Sequence, residues 1–124
     1  MNIEDVPYEK DPGMPLNLKL DYVEFYSAEL EATEDFFAKA FDWSFVEYGP
    51  DYRDIQNAGL GGGIERSGPQ APLIVLKTAD LQAAYQQISE AGAEITKEIF
   101  EFPGGKRFEF REPGGTAMAV WCPA

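Results

Sequence analysis

Two related stretches decide the fold of this chain: LDYVEFYSAELEATEDFFAKAFDW at residues 20–43 and PLIVLKTADLQAAYQQISEAGAEI at residues 72–95. Each stretch begins with the period-two alternation of a strand and continues with apolar residues at helical spacing. The stretches align at an offset of 51 residues, so that Val23 corresponds to Ile74. Such self-similarity predicts two copies of one structural unit.

Three short segments of strand character follow each helical segment, separated by glycine and proline turns. One helix is predicted at 27–41, with Ser27 as its N-cap, and another at 80–91. Phe100 and Phe102 are predicted to lie in a loop. The sequence therefore predicts an α+β fold of two tandem βαβββ units, with strands at 18–26, 43–48, 52–56, 60–65, 72–77, 94–98, 106–111 and 116–121.

The composition excludes several classes of function. The 124 residues include 22 acidic and 10 basic side chains, a formal charge of −12, and so negative a surface repels nucleic acid and anionic membranes. The absence of histidine excludes Ser-His-Asp and Cys-His catalysis and every histidine-containing metal site. Cys122 is the only cysteine, so no intrachain disulfide can form, and this favours a reducing, cytoplasmic location.

The N-terminal residues differ in character from the rest of the chain. Residues 1–15 carry three prolines and no sustained periodicity, which predicts an irregular acidic arm. They lack the apolar core of a signal peptide, and no apolar run in the chain approaches the roughly 20 residues of a transmembrane helix. We therefore expect one domain at 16–124, built from units 16–68 and 70–122.

The repeated stretches, together with FPGGKRFEFREPGGTAMAVW at residues 102–121, resemble the vicinal-oxygen-chelate superfamily. This superfamily includes glyoxalase I, bleomycin-resistance proteins and extradiol dioxygenases, and the resemblance covers roughly residues 18–122. It implies curved mixed sheets around a cavity, with the helices packed on the outer face. It also implies a homodimer.

The resemblance locates the metal-binding positions of the superfamily on strands one, four, five and eight. In this sequence those positions hold Tyr22, Glu65, Leu73 and Ala119. Leu73 and Ala119 have no donor atom, and the phenol of Tyr22, with an ordinary pKa of about 10, is a poor ligand. Glu65 is then a weak, isolated candidate, and a single carboxylate does not hold a catalytic divalent ion. Neither a metal nor another cofactor is expected.

The first strand carries the most distinctive polar residue. Its alternation places Tyr22, Glu24 and Tyr26 on one face, which the resemblance directs into the cavity. Glu24 is the candidate catalytic residue, because a desolvated carboxylate there could act as a general base or bind a ligand. Pairing with a basic residue such as Arg53 or Lys77 is the alternative.

Aromatic residues complete the candidate ligand-binding set. It consists of Tyr22, Glu24, Tyr52, Phe108 and Trp121. Trp121 shares a strand face with the former metal position on the last strand, where it could stack on a flat ligand or pack in the core. Packing in the core is also the alternative for Phe108.

The glycine run Gly61–Gly63 needs a separate explanation. It lacks the following lysine and helix of a phosphate-binding loop. In a strand, such a run indicates either a close approach of another group to the backbone or a bend.

Three functional hypotheses follow. The first is a metal-independent protein that binds a small molecule in an aromatic-lined cavity, as bleomycin-resistance proteins do within the superfamily. The second is a divalent-metal-dependent lyase or dioxygenase of the glyoxalase type, with a reduced site using Glu24 or Glu65. The third is a metal-free enzyme in which Glu24 is the general base. Whether the protein is an enzyme stays open at this point.

Overall fold

The structure, a computed structural model, describes residues 16–124. The predicted arm at 1–15 lies outside the described residues. Ten elements follow one another in the order that the repeat predicts: β1 (Lys19–Ser27), α1 (Leu30–Phe41), β2 (Ser44–Glu47), β3 (Tyr52–Gln56), β4 (Gly61–Arg66), β5 (Leu73–Lys77), α2 (Leu81–Glu90), β6 (Glu94–Phe102), β7 (Gly105–Arg111) and β8 (Ala117–Pro123).

All eight strands belong to one mixed sheet with the order β2-β3-β4-β1-β5-β8-β7-β6. In each half the first strand pairs in parallel with the fourth, β1 with β4 and β5 with β8. The halves join where β1 and β5 pair antiparallel. The α+β fold of two βαβββ units is confirmed, and the sheet is open because its order ends at β2 and β6.

The helices cover one face of the sheet and bury the cores there. Beneath α1, the first half packs Leu30 and Ile64, both fully buried. Beneath α2, the second half packs Ala84, Phe108 and Val120, also fully buried. Neither helix among the described residues is long and apolar enough to cross a membrane.

The apolar stripe of α1 is only partly buried, which the helical spacing did not predict. Phe37 packs against the core, but Phe36 is 59% exposed and Phe41 is 49% exposed. Both rings contact other aromatic rings at the end of the helix instead of reaching the sheet, and Phe41 lies 5.0 Å from Trp43 between ring centroids.

Two predicted boundaries are wrong. The first helix begins at Leu30 with Glu29 at the N-cap, and Ser27 ends β1. The Ser27 hydroxyl accepts a hydrogen bond from the Glu29 N–H (3.0 Å) and pairs with the hydroxyl of Thr33 (2.7 Å). It therefore supports the turn before the helix rather than capping the first helical turn.

The sixth strand is longer than predicted and includes Phe100 and Phe102. Phe102 pairs with Gly105, and Pro103 and Gly104 form the two-residue turn between β6 and β7. Gly104 has a positive φ of 108°, a conformation that glycine adopts without strain. Register shifts on both sides of Lys97 break the alternation of β6, which explains why the pattern of a strand was not recognised.

Candidate ligand-binding cavity

A cavity of about 680 Å³ lies on the sheet face opposite the helices. Alternation brings many of its residues there: the strand neighbours Ile55, Ile64, Phe108 and Val120 pack beneath the helices, so Asp54, Glu65, Arg107 and Trp121 face the other way. Each half of the sheet contributes six residues. From the first half these are Tyr22, Glu24, Tyr48, Tyr52, Asp54 and Glu65; from the second they are Val75, Phe100, Phe102, Pro103, Arg107 and Trp121.

The floor of the cavity is Val75, which belongs to a buried hydrocarbon cluster. Leu73, Val75 and Ala119 are at most 6% exposed and form this cluster, against which Tyr22 and Trp121 pack. The register explains this grouping, because Val75 lies between Tyr22 on β1 and Ala119 on β8. Two of the four positions that the resemblance assigns to a metal, Leu73 and Ala119, thus lie in a buried apolar cluster.

Tyr22 and Tyr52 form a hydroxyl pair at one side of this floor. Their hydroxyls are hydrogen bonded to each other, and the Tyr22 hydroxyl also donates to Asp54 Oδ1 at 3.5 Å. Burial, followed by its bond to Tyr52, raises the pKa of Tyr22 far above the ordinary value. Burial likewise raises the pKa of Tyr52, so both hydroxyls keep their protons.

The glycines of β4 make room for this pair. A Cβ atom on Gly63 would overlap the hydroxyls of both Tyr22 and Tyr52. A Cβ on Gly61 would lie 3.2 Å from the Tyr22 ring. The glycine run therefore allows the close approach that such a run indicates in a strand.

Glu24 is buried in an ionic cluster. The residue is 8% exposed, and its Oε1 accepts a hydrogen bond from the Tyr26 hydroxyl at 2.7 Å. Arg107 Nη2 lies 3.5 Å from the same oxygen and 2.7 Å from Glu109 Oε2. Burial alone lowers the pKa of Arg107, but the charges of Glu24 and Glu109 outweigh it and hold that pKa above its ordinary value.

The basic partner of Glu24 is therefore neither Arg53 nor Lys77. Arg53 lies on the helix side of the sheet, where its Nε donates to Glu34 at 3.0 Å. The Lys77 ammonium lies over the Trp121 ring, 5.2 Å from its centroid.

Aromatic rings form the opposite wall. Trp121 donates its indole N–H to Asp21 Oδ2 at 2.9 Å, and its ring centroid lies 6.2 Å from that of Phe102. Phe100 completes the wall, with the Lys97 ammonium 4.2 Å from its centroid and the Arg107 guanidinium at 5.5 Å.

Phe108 does not line the cavity. It is fully buried beneath α2, where its ring contacts Tyr85 edge-to-face at 5.1 Å. Packing in the core, the alternative considered for this residue, is what the structure shows. The other four predicted ligand-binding residues, Tyr22, Glu24, Tyr52 and Trp121, all line the same cavity.

Glu65 lies at the rim, apart from any set of metal ligands. The residue is largely exposed, yet desolvation beside the cavity and the charge of Glu24 raise the pKa of its carboxyl. Within residues 16–124, no three histidine, cysteine, aspartate or glutamate side chains are grouped closely enough to hold a metal ion. With hydrocarbon at Leu73 and Ala119 and a protonated phenol at Tyr22, the residues present do not fit the metal of the superfamily.

The predicted ligand-binding set left out several lining residues: Tyr48, Asp54, Phe100, Phe102 and Arg107. The positions of Arg107 and Asp54 could have been predicted from the sequence. Each is the immediate neighbour of a residue that packs beneath a helix, and alternation directs it to the other face. The positions of Phe100 and Phe102 could not have been predicted, because the irregular register of β6 breaks the alternation that would show which face they occupy.

Comparison with known proteins places the chain in a family. The sequence model of the Glyoxalase/Bleomycin resistance protein/Dioxygenase superfamily matches residues 19–120. The chain belongs to this superfamily. The match extends from the first residue of β1 into β8 and so includes both units of the fold. No curated protein matches the chain.

Solved structures of the superfamily share the fold at low sequence identity. A member from Vibrio splendidus 12B01 is 16% identical, with a TM-score of 0.67 over 86% of this chain and 99% of its own. Methylmalonyl-CoA epimerase from Mycobacterium tuberculosis is 15% identical, with a TM-score of 0.65 over 85% of this chain and 87% of its own. The Mn(II)-bound glyoxalase from Novosphingobium aromaticivorans is 18% identical, with a TM-score of 0.65 over 83% of this chain but 38% of its own.

Proposed function

We propose that this protein binds a small organic molecule in its cavity without using a metal ion. One observation carries the proposal. At two of the positions that the resemblance assigns to a metal, Leu73 and Ala119 lie in a buried hydrocarbon cluster, next to a cavity of about 680 Å³ whose lining includes Val75 of that cluster. That volume is typical of small-molecule sites, which are mostly apolar with a few placed polar groups.

The walls suit a flat ligand. Tyr48, Phe100, Phe102 and Trp121 offer ring faces or edges, and aromatic stacking contributes beyond the burial of area alone. Sequestration or sensing of such a ligand needs no catalytic residue. A homodimer and a cytoplasmic location belong to the same proposal; the superfamily supports the first and the lone cysteine the second.

A specific feature of Glu24 favours one second candidate, a metal-free enzyme. Both contacts of the Glu24 carboxylate fall on Oε1, so the described residues leave Oε2 available to a bound substrate. A buried carboxylate with a free oxygen could accept a proton from a substrate carbon or hydroxyl group. Arg107 and Tyr26 would then be positioning residues that hold the carboxylate in place.

A ligand screen on metal-stripped protein tests the proposal. Replacement of Trp43 by Phe leaves Trp121 as the only tryptophan, and its fluorescence then reports on the cavity. We expect compounds that quench this fluorescence saturably and raise the melting temperature, as ligands of the native state do. A complete screen without such a compound would contradict the proposal.

Two further measurements separate the hypotheses. After incubation with nickel, zinc, manganese or iron(II) and desalting, the untagged protein is expected to retain no stoichiometric metal. Near-stoichiometric metal that Glu65→Ala removes would instead support the metal-dependent enzyme. Turnover that Glu24→Gln abolishes while ligand binding survives would support the metal-free enzyme.

A further inference from the structure

We infer that the ligand is an organic cation: an ammonium, amidinium or quaternary nitrogen carried on a flat apolar ring. This inference rests on the proposed function and specifies the chemical class of the ligand. It comes from two features of the cavity, which are its charge and its aromatic surfaces.

The lining residues carry an excess of negative charge. Three of them are carboxylates, Glu24, Asp54 and Glu65, and one is a cation, Arg107. Arg107 is already shared between Glu24 and Glu109, so it leaves Asp54 and Glu65 without a cationic partner. A cation bound between these two carboxylates would neutralise negative charge that no cationic side chain among the described residues neutralises.

Two hydrogen-bond donors near the cavity are used within the protein. Trp121 donates its N–H to Asp21, and Tyr26 donates its hydroxyl to Glu24. The carboxylate oxygens of the lining residues Asp54 and Glu65 are acceptors, so a ligand that donates hydrogen bonds fits them.

The ring faces of the cavity also suit cations. Lys97 lies 4.2 Å from the centroid of Phe100, and Lys77 lies 5.2 Å from that of Trp121. Neither lysine is among the lining residues. Because the Arg107 guanidinium also lies 5.5 Å from the Phe100 centroid, Trp121 offers the more open ring surface to a ligand. A flat cation on that ring would combine stacking with cation–π attraction. Desolvation, followed by the charge of Glu24, raises the pKa of Glu65, and a bound cation would stabilise the ionised carboxylate.

A matched set of three probes tests the class of ligand. N-methylquinolinium is permanently cationic, quinoline is neutral at neutral pH, and quinoline-2-carboxylate is anionic, while all three share one ring system. Trp121 fluorescence of the Trp43→Phe protein gives their affinities. We expect the cation to bind at least about tenfold more tightly than quinoline, and the anion to bind most weakly.

Variants that each remove one negative charge distinguish the effect of the cavity carboxylates from the effect of the net charge of the protein. Glu65→Gln and Asp54→Asn should each weaken binding of N-methylquinolinium several-fold, a larger loss than either variant causes for quinoline. Glu94→Gln is the control, because it removes the same charge from an exposed position six residues before Phe100 on β6. An equal loss in Glu94→Gln would show a general effect of net charge and overturn the inference.

The outcomes distinguish this inference from the proposed function. Equal affinity for the three probes, or preference for the anion, would overturn the cationic class and leave a small-molecule binder. Failure of all three, with neutral or anionic compounds emerging from the wider screen, would do the same. Failure of the three probes and of the whole screen would overturn both.

Discussion

Neighbouring residues on β7 have opposite roles, and single substitutions should separate them. Arg107 faces the cavity, whereas Phe108 is fully buried beneath α2. We predict that Phe108→Ala lowers the free energy of unfolding by about 3–5 kcal/mol, as expected for removal of a buried aromatic ring. Urea denaturation measures this value. Phe102→Ala is the control, since Phe102 is half-buried at the cavity and its loss should weaken ligand binding at a smaller cost in stability.

If Phe108→Ala left stability unchanged and weakened only binding, the assignment of this ring to the core would be wrong. The sequence contained the information needed to decide it. In KRFEFR, charged and aromatic residues alternate. When Phe108 and Phe110 face the helix, Arg107 and Glu109 must therefore face the side of the sheet that carries the cavity. The predicted ligand-binding set instead placed the aromatic Phe108, and not the charged Arg107, at the cavity.

At Glu65, the raised pKa predicts the pH dependence of cation binding. Desolvation and the negative charges of Glu24 and Glu109 raise this pKa, and the positive charges of Arg107 and Lys97 partly oppose them. The ionised carboxylate attracts a cation and the protonated one does not. Affinity for N-methylquinolinium should therefore rise as the pH rises through this pKa, which lies above the ordinary value of a glutamate.

The fixed charge of N-methylquinolinium makes this experiment clear, because only the protein titrates. Glu65→Gln should remove this step in affinity. A step that persists in this variant would mean that another group controls the pH dependence.

At the scale of elements, β4 determines where the tyrosine pair lies. We predict that Gly63→Ala costs about 1–3 kcal/mol, because the added methyl group would overlap both hydroxyls in a packed site. The same change should alter probe affinity, since the displaced rings move into the cavity. Thermal unfolding and fluorescence titration measure the two effects. Gly68→Ala is the control, with nothing within 4 Å of its added Cβ.

A double-mutant cycle tests the cause of this loss. Tyr52→Phe removes one of the hydroxyls that the methyl group would overlap, so Gly63→Ala should cost less in that background. Additive costs would contradict a direct collision between residue 63 and the tyrosine pair.

The elements also show what a sequence pattern can and cannot reveal. The repeat predicted ten elements in the observed order, because each strand or helix that buries one face carries its own period. The pattern failed where local hydrogen bonds decide, as at Ser27, which supports a turn instead of capping α1. It failed again along β6, where register shifts interrupt the alternation that would have placed Phe100 and Phe102.

At the scale of the whole molecule, the two halves share a fold but not a role. The first half supplies the hydroxyl pair and the carboxylates Glu24, Asp54 and Glu65. The second half supplies Phe100, Phe102, Trp121 and the only lining cation, Arg107. A cavity with a polar side and an aromatic side therefore arises from two units of one architecture. The resemblance predicted the cavity, whereas its two-sided chemistry depends on residues that differ between the units.

This division of roles leads to a prediction about assembly. β1 and β5 pair within one chain, so both sides of the cavity come from the same molecule. We expect a homodimer in solution and one bound N-methylquinolinium per chain, with an affinity that does not change when dilution dissociates the dimer. Analytical ultracentrifugation gives the assembly state, and titration on both sides of the dissociation range gives stoichiometry and affinity. Half-site stoichiometry, or affinity lost together with the dimer, would show that the partner completes the cavity. Unchanged binding by monomers would instead establish that one sheet with two unlike halves is sufficient, since every group that the cation contacts then lies on a single chain.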